Sequence, residues 1–320
     1  MGVLFVFLDG VGFGATDPER NPFAAVATPA LDGLVGGAWS APKERADADA
    51  TATRIDATLG VPGLPQSATG QSALLSGRDA VAAMNGHYGP WPGPTLKRFL
   101  EDGELFAWAS ARFGREALAW GVAYPPGFFD ALERGRLRLN APAHAARNAG
   151  VTLPGLDAYR RGDAVAADLD GAWLASRGVE PPGGHQPGPR GAERAGRRLA
   201  RRAAEHAFTF LDVWATDRAG HRADSGEARA LVERLDAFLA GVLAGRDPET
   251  TVVLTSDHGN LEDLSHGRHT TAAVPLLAVG PRASAFRGAS SLLDVAPAVR
   301  RAWGEEAPDG AAAGGGTGRR

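Results

Sequence analysis

An acid and an imidazole stand side by side in "TSDHGN", where Asp257 and His258 follow the β-forming run "TTVVL". The same pairing of residue types recurs elsewhere. "ATDRAGH" carries Asp217 and His221 four residues apart, one helical turn, so both can face a single ion. Asp9 follows "VLFVFL" and precedes the glycine turn "GVGFG"; His269 lies in "GRHTTAAVP", just before another apolar run. Carboxylate oxygens with neutral imidazoles are the donors that Zn²⁺ and Mn²⁺ take, and the imidazoles argue against Ca²⁺ or a pure Mg²⁺ site. Each fragment alone has a plain alternative: a turn, a capped loop, a surface i, i+4 pair or a satisfied loop histidine. Those alternatives must all hold independently, whereas one metal site explains three Asp and three His at four strand edges.

A hydroxyl is placed to join them. "GLPQSATGQSALLSGR" reads as an elbow leading into a helix that ends at Gly77, a C-cap. Ser67 stands at or near the helix start. Gly70 lies one turn in, where a capping box would put Glu or Gln. Glycine there gives up about 1 kcal/mol of helix propensity, which implies that something approaches the backbone closely. A helix N-terminus offers N–H groups and positive dipole to a phosphate, and a hydroxyl touching a dication there is primed for attack. The alternative is that Ser67 is only an N-cap.

The elements that must position these residues are legible in outline. Expected strands are 3–8, 117–124, 208–215, 250–255 and 274–279, separated by the helical patterns "TPALDGLVGG", "TLKRFLEDGELFAWASARFG", "GPRGAERAGRRLARRAAEHA" and "SGEARALVERLDAFLAGVLAG". Apolar strands alternating with helices predict a mostly parallel sheet covered on both faces, with ligands at its carboxyl edge. The stretch 130–190, rich in Gly, Pro, Ala and Arg, is a candidate insertion or small lid over that edge. The tail "APDGAAAGGGTGRR" cannot bury a core, so 306–320 is expected to be disordered. The rest, 1–305, is expected to form one domain.

Composition narrows the class. At 320 residues, 44% apolar and 22% charged, the chain is that of a globular protein. A net charge of −3 supplies no global field for nucleic acid or anionic lipid. The Arg-rich helix "RGAERAGRRLARRAAEHA" has ordinary amphipathic patterning. There are no cysteines, which excludes disulfides, thiolate sites and Cys nucleophiles. No stretch reaches the roughly 18 apolar residues of a membrane span, and "MGVLFVFLDG" lacks the features of a secretion signal, so a cytoplasmic protein is expected.

These motifs resemble the alkaline phosphatase superfamily, in particular its branch of cofactor-independent phosphoglycerate mutases and phosphopentomutases. "FLDGVGFG" with "NPFAAVATPALDGL" is similar to that branch's opening strand and helix. "LGVPGLPQSATGQSALLSG" resembles its phospho-acceptor segment, and "ATDRAGH", "TSDHGN" and "HTTAAVP" its later ligand motifs. The resemblance covers roughly 1–78 and 185–285. It implies an alkaline-phosphatase-like three-layer α/β/α sandwich and two divalent ions, Mn or Zn. Asp9, Ser67, Asp257 and His258 would hold one ion; Asp217, His221 and His269 would hold the second, with Ser67 as nucleophile. The branch's large cap, with its histidine motif and Arg-Asp pair, is not found, and 78–185 is short for it. A reduced cap admits water, which favours a phosphohydrolase working through a phosphoserine on a small phosphorylated metabolite. The alternatives are a phosphomutase using the same groups and a non-catalytic metal-binding relic. A sulfatase is disfavoured because Gln71 stands where its motif needs Arg. His87, Arg78, Arg190 and Arg268 are candidate phosphate contacts, none favoured over a surface role.

Overall fold

"GVLFVFL" carries no charge and is buried at all but its first residue, as a strand covered on both faces must be. It is β1 (Gly2–Leu8). In the computed structural model, which describes residues 2–305, the other strands are β2 (Arg45–Ala46), β3 (Ala50–Ile55), β4 (Leu118–Trp120), β5 (Phe208–Val213), β6 (Thr250–Ser256) and β7 (Val274–Val279). They form one sheet in the order β2-β3-β7-β6-β1-β5-β4. β1 sits near the middle, parallel to β5 and β6, with Leu8 level with both Val213 and Ser256. Three strands therefore finish together, and the residues that follow each of them emerge at one edge.

The direction of β7 matters most for the site. It runs antiparallel to β6, with Thr255 opposite Leu276. Its start therefore lies at the edge where β1, β5 and β6 end, and His269 is delivered there ahead of it. A parallel β7 would have begun at the opposite edge. β3 is antiparallel to β7 in turn, so its end and the chain leading to Ser67 also stay on this side. β2 and β3 were not among the expected strands.

Other boundaries differ from the sequence reading. The strand expected over 117–124 is confined to Leu118–Trp120; beyond it Val122 only bridges Val165. The strand expected to 215 ends at Val213, because Ala215–Arg222 is already helix. The single pattern over 95–114 is two helices, Pro94–Glu101 and Leu105–Phe113. The chain turns at Gly103 (φ +82°), and the buried Glu104 side chain caps the second helix by accepting from Phe106 and Ala107 N–H groups.

Helices cover both faces of the sheet, giving a three-layer α/β/α sandwich. On one side Pro189–Ala203 packs along Ser225–Gly245. Gly196 and Gly241 let the backbones touch: an added Cβ would lie 2.0 Å from the Phe238 and Glu193 carbonyl oxygens respectively. The other layer groups the helix Ser67–Ser76 with Pro94–Glu101, Ala141–Asn148 and Val295–Ala302. Between sheet and helices lies an aromatic core in which Phe210 stacks on Phe5 at 5.2 Å and on Trp120 at 5.3 Å.

Within 130–190, Ala141–Asn148 belongs to the main layer, while Leu156–Arg161, Ala172–Ala175 and the loops around them gather over a small separate core of Ala123, Tyr159, Ala164, Ala166, Leu174 and Val179. The tail expected to be disordered, 306–320, lies outside the described residues. No helix among the described residues is long and apolar enough to cross a membrane.

Candidate metal centre

The seven side chains singled out in the sequence converge at the carboxyl edge of β1, β5 and β6. Asp9 follows β1 directly and Asp257 follows β6. Asp217 and His221 share one face of the helix Ala215–Arg222 after β5, and Ser67 is the first residue of its own helix, behind an N-cap at Gln66. The close approach inferred at Gly70 is present. A Cβ there would stand 2.9 Å from the Asp257 carbonyl oxygen, so glycine lets the Ser67 helix lie against the strand end that carries Asp257 and His258. Gly77 ends this helix in the left-handed conformation, its N–H donating to Ala73.

Two overlapping groups form. Ser67 Oγ lies 3.0 Å from His258 Nε2, and the same nitrogen is 3.4 Å from Asp9 Oδ1 and 3.5 Å from Asp257 Oδ2. In the second group, Asp217 Oδ2 lies 3.2 Å from His221 Nε2, and Asp217 Oδ1 lies 3.5 Å from His269 Nε2. The two imidazole Nε2 atoms are 3.2 Å apart. Donor atoms of Asp217, His221 and His269 all fall within 4.8 Å of one another, as do those of Asp9, Asp217 and His258. Asp217 thus stands between the groups.

These residues fit divalent cations on three counts. First, Asp9 Oδ1 and Asp257 Oδ2 are buried without any hydrogen-bond partner, an arrangement that is costly unless a cation is meant to meet them. Second, each histidine is oriented through its other nitrogen. Nδ1 of His221 faces Gly267 O at 2.9 Å, that of His269 faces Pro65 O at 2.7 Å, and that of His258 faces Gly259 O at 3.3 Å. With Nδ1–H donating to a carbonyl, each Nε2 points at the site, and a cation that displaces its proton would take the lone pair there. Third, packing three acids against three imidazoles displaces every one of them from its ordinary pKa. Burial, then the charges of Asp257 and Asp217, push Asp9 up to about 8, and burial pushes Asp257 up to about 6. Burial works against a charge on His258, yet Asp257 and Asp9 hold it up to about 10. Asp217 falls to about 2, since hydrogen bonding to His221, the His258 charge and Asn260 outweigh its burial. His221 rises to about 9 on its bond to Asp217, whereas burial and the His258 charge push His269 down to about 4, leaving a neutral imidazole.

Four residues outside the sequence-derived set support the site. Gln71 Nε2 donates to Asp9 Oδ2 at 3.2 Å while its carbonyl accepts from Ala141 N–H; its position four after Ser67, on the same helix face, was the available signal. Asn260 Nδ2 donates to Asp217 Oδ1 at 2.6 Å. Glu262 Oε2 accepts from the N–H groups of Gly12 and Asn260, and Oε1 from the Thr270 hydroxyl, tying three edge loops together. Asp212, an acid inside the buried strand β5, accepts from Asn140 at 2.8 Å and keeps Oδ1 unpaired. Burial, with the Asp9 charge adding to it, pushes Asp212 up to about 7 against the Asn140 bond. A charge within an apolar strand was its signature.

Asp9, Ser67 and Asp217 open into a cleft of about 1090 Å³, walled largely by residues from 123–143 and 166–174. His87, Arg78, Arg190 and Arg268 do not line it. Arg78 instead donates to Phe99 O and pairs with Asp102, and His87 faces Val61 O.

Comparison with known proteins agrees with this geometry. Residues 190–304 match the Metalloenzyme superfamily. The chain is 36% identical over 91 residues to the 2,3-bisphosphoglycerate-independent phosphoglycerate mutase of Saccharophagus degradans, covering 26% of this chain and 18% of that protein. It is 42% identical over 62 residues to the phosphopentomutase of Methylobacterium nodulans, covering 19% of this chain and 15% of that one. The chain thus spans less than a fifth of the length of either relative. Among solved structures, alkaline phosphatase from the Antarctic bacterium TAB5 superposes with a TM-score of 0.55 at 14% identity, over 94% of this chain and 97% of that one. A Pyrococcus horikoshii protein does so with a TM-score of 0.54 at 16% identity, over 97% and 98%. The fold is alkaline-phosphatase-like, and in sequence the chain is similar over residues 190–304 to the Metalloenzyme superfamily and over shorter stretches to phosphoglycerate mutases and a phosphopentomutase.

Proposed function

We propose that this protein is a two-metal phosphohydrolase that cleaves a small phosphorylated metabolite through a phosphoserine on Ser67. The observation that carries the reading is the meeting of a serine hydroxyl, its helix N-terminus and the orphaned Asp9 oxygen at the floor of one cleft, with the orphaned Asp257 oxygen buried behind them.

Asp9, Ser67, Asp257 and His258 would hold one ion, and Asp217, His221 and His269 the other, Mn or Zn by their donor types. When bound, the pair supplies Lewis-acid stabilisation of the phosphoryl oxygens and lowers the pKa of the serine hydroxyl. The chain's own groups do the rest. The His258 ring keeps Ser67 Oγ aimed out of the helix. The first-turn N–H groups of Ser67 and Ala68 have no intrahelical carbonyl to bond and face incoming phosphate. Oγ attacks phosphorus, the O–P bond to the substrate alcohol breaks, and the alcohol leaves with a proton. Water then attacks the phosphoserine, the Oγ–P bond breaks and free phosphate departs.

Hydrolysis is favoured over mutase chemistry by access. The His221 side chain is 46% exposed, so water reaches the second ligand group, whereas a mutase must hold its intermediate dry. The wall segments from 130–190 act as a small lid in this reading. The relatives' names keep a second reading in play, a phosphomutase using the same serine and ions. Product analysis separates the two: free phosphate from metal-reconstituted protein supports hydrolysis, and an isomer without free phosphate supports the mutase. Retained turnover in Ser67→Ala would remove both.

A further inference from the structure

The cleft above Ser67 is much larger than a phosphate group requires. At about 1090 Å³ it lies just above the roughly 300–1,000 Å³ that hold drug-sized ligands. A three-carbon phosphate ester would leave most of it to water. Two kinds of side chain line its walls. Trp91 and Trp173, each 46% exposed, border it with Trp214. Arg177 lies over one face of the Trp173 ring at 3.9 Å, which leaves its other face, and the Trp91 ring, to offer a planar group.

The second kind is cationic. Arg136, Arg138, Arg218 and Arg234 line the same cleft, and among the described residues none of their guanidinium groups makes a hydrogen bond or ion pair. Arg218 only approaches the Trp214 ring, at 5.9 Å. The acids beside them are engaged: Asp168 accepts from the Gly171 and Trp173 N–H groups, and Glu227 pairs with Arg222. Free guanidinium groups beside exposed aromatic faces suit an anionic, aromatic ligand.

We propose that the substrate is a phosphate ester of nucleotide size, bearing a planar aromatic group that stacks on the wall tryptophans and a second anionic group held by the wall arginines. This rests on the phosphoryl-transfer reading for its reacting phosphate, and on the wall alone for the remainder. The test is equilibrium calorimetry on Mn²⁺-loaded Ser67→Ala protein, which binds without turning over. The probes are adenosine 3′,5′-bisphosphate, adenosine 5′-monophosphate, p-nitrophenyl phosphate and glycerol 2-phosphate. The bisphosphate is expected to bind at least about tenfold more tightly than glycerol 2-phosphate, the gain expected of one base–aromatic stack. Adding Trp91→Ala with Trp173→Ala should weaken both nucleotides about tenfold; both side chains are half exposed, so the fold should persist, as circular dichroism would verify. Arg138→Ala should weaken the bisphosphate more than the monophosphate. Equal affinity for all four probes, or nucleotide affinity untouched by the double tryptophan variant, overturns the inference. Tight nucleotide binding by a protein that releases phosphate from nothing would instead overturn the hydrolase reading and leave this one standing.

Discussion

Two regions face each other across the cleft, and they are built on opposite principles. The floor is the level end of three paired strands, with Asp9, Asp257 and His258 buried and three of its loops braced together by Glu262 between Gly12, Asn260 and Thr270. The wall is made of short helices and loops, with exposed arginines at 136 and 138 and tryptophans at 91 and 173. Reacting groups must be held within a fraction of an ångström, which strands and second-layer hydrogen bonds achieve. Selectivity tolerates looser support and can change without disturbing the floor. Floor substitutions are therefore expected to remove turnover, and wall substitutions to change which substrate is bound.

The largest effect should come at Ser67. Ser67→Ala is expected to lower phosphate release by roughly 10³-fold or more, as when a covalent nucleophile is deleted, with unchanged metal-free stability. A residual rate near wild type would move the nucleophile elsewhere. Gly70→Ala comes next. Its Cβ would press on the Asp257 carbonyl at 2.9 Å, and a shift of that size at the reacting groups should cost up to about 10²-fold in kcat. A crystal structure of the variant should show the Ser67 helix displaced from β6. Full activity with an unmoved helix would mean that the contact between helix and strand end does not set the geometry. Glu262→Gln removes charge from the brace and no atom from the metal groups. It should weaken metal binding by about tenfold or somewhat more, read by competition with a chelator. Equal affinity would show that the loops hold the site without it.

Much of this floor was legible in the sequence because strand ends announce themselves: an apolar run followed by Asp or Asp-His, at Asp9 and at Asp257 and His258. Asp217 and His221 were legible from helical spacing, and Ser67 from the glycine three residues on. The direction of β7 was not, since a strand buried on both faces carries no mark of which way it runs. "ATATRI" escaped for a related reason: two alanines, two threonines and an arginine do not make an apolar run, and β3 exists because its neighbour β7 offers an edge. Gln71, Asn260 and Glu262 are polar residues of kinds common in turns and helices. Their partners lie on loops and helices that meet only in the fold. The wall was least legible, being irregular in both periodicity and composition.

Asp9 and Glu104 give the sharpest contrast between a carboxylate built for chemistry and one built for structure. Both are buried, but Asp9 keeps an unpaired oxygen, while Glu104 spends both on the Phe106 and Ala107 N–H groups. Glu104→Gln should leave turnover unchanged, the smallest catalytic effect of the series; its one amide oxygen can accept from only one of the two N–H groups, so stability falls somewhat at every pH, and its dependence on pH flattens as well. Burial, opposed by those two N–H groups, pushes the Glu104 carboxyl up from 4.5 to about 7. The folded state therefore holds its proton more tightly than the unfolded chain does. Stability from this group is fully present below pH 4.5 and is lost as pH rises to about 7. A shift of that size corresponds to about 3 kcal/mol, an upper bound because the unfolded chain retains some burial of its own. Denaturant midpoints at pH 5 and pH 7 should fall further for the wild type than for Glu104→Gln. Identical falls would mean that Glu104 is ionised in the folded protein throughout, its two N–H bonds having outweighed its burial.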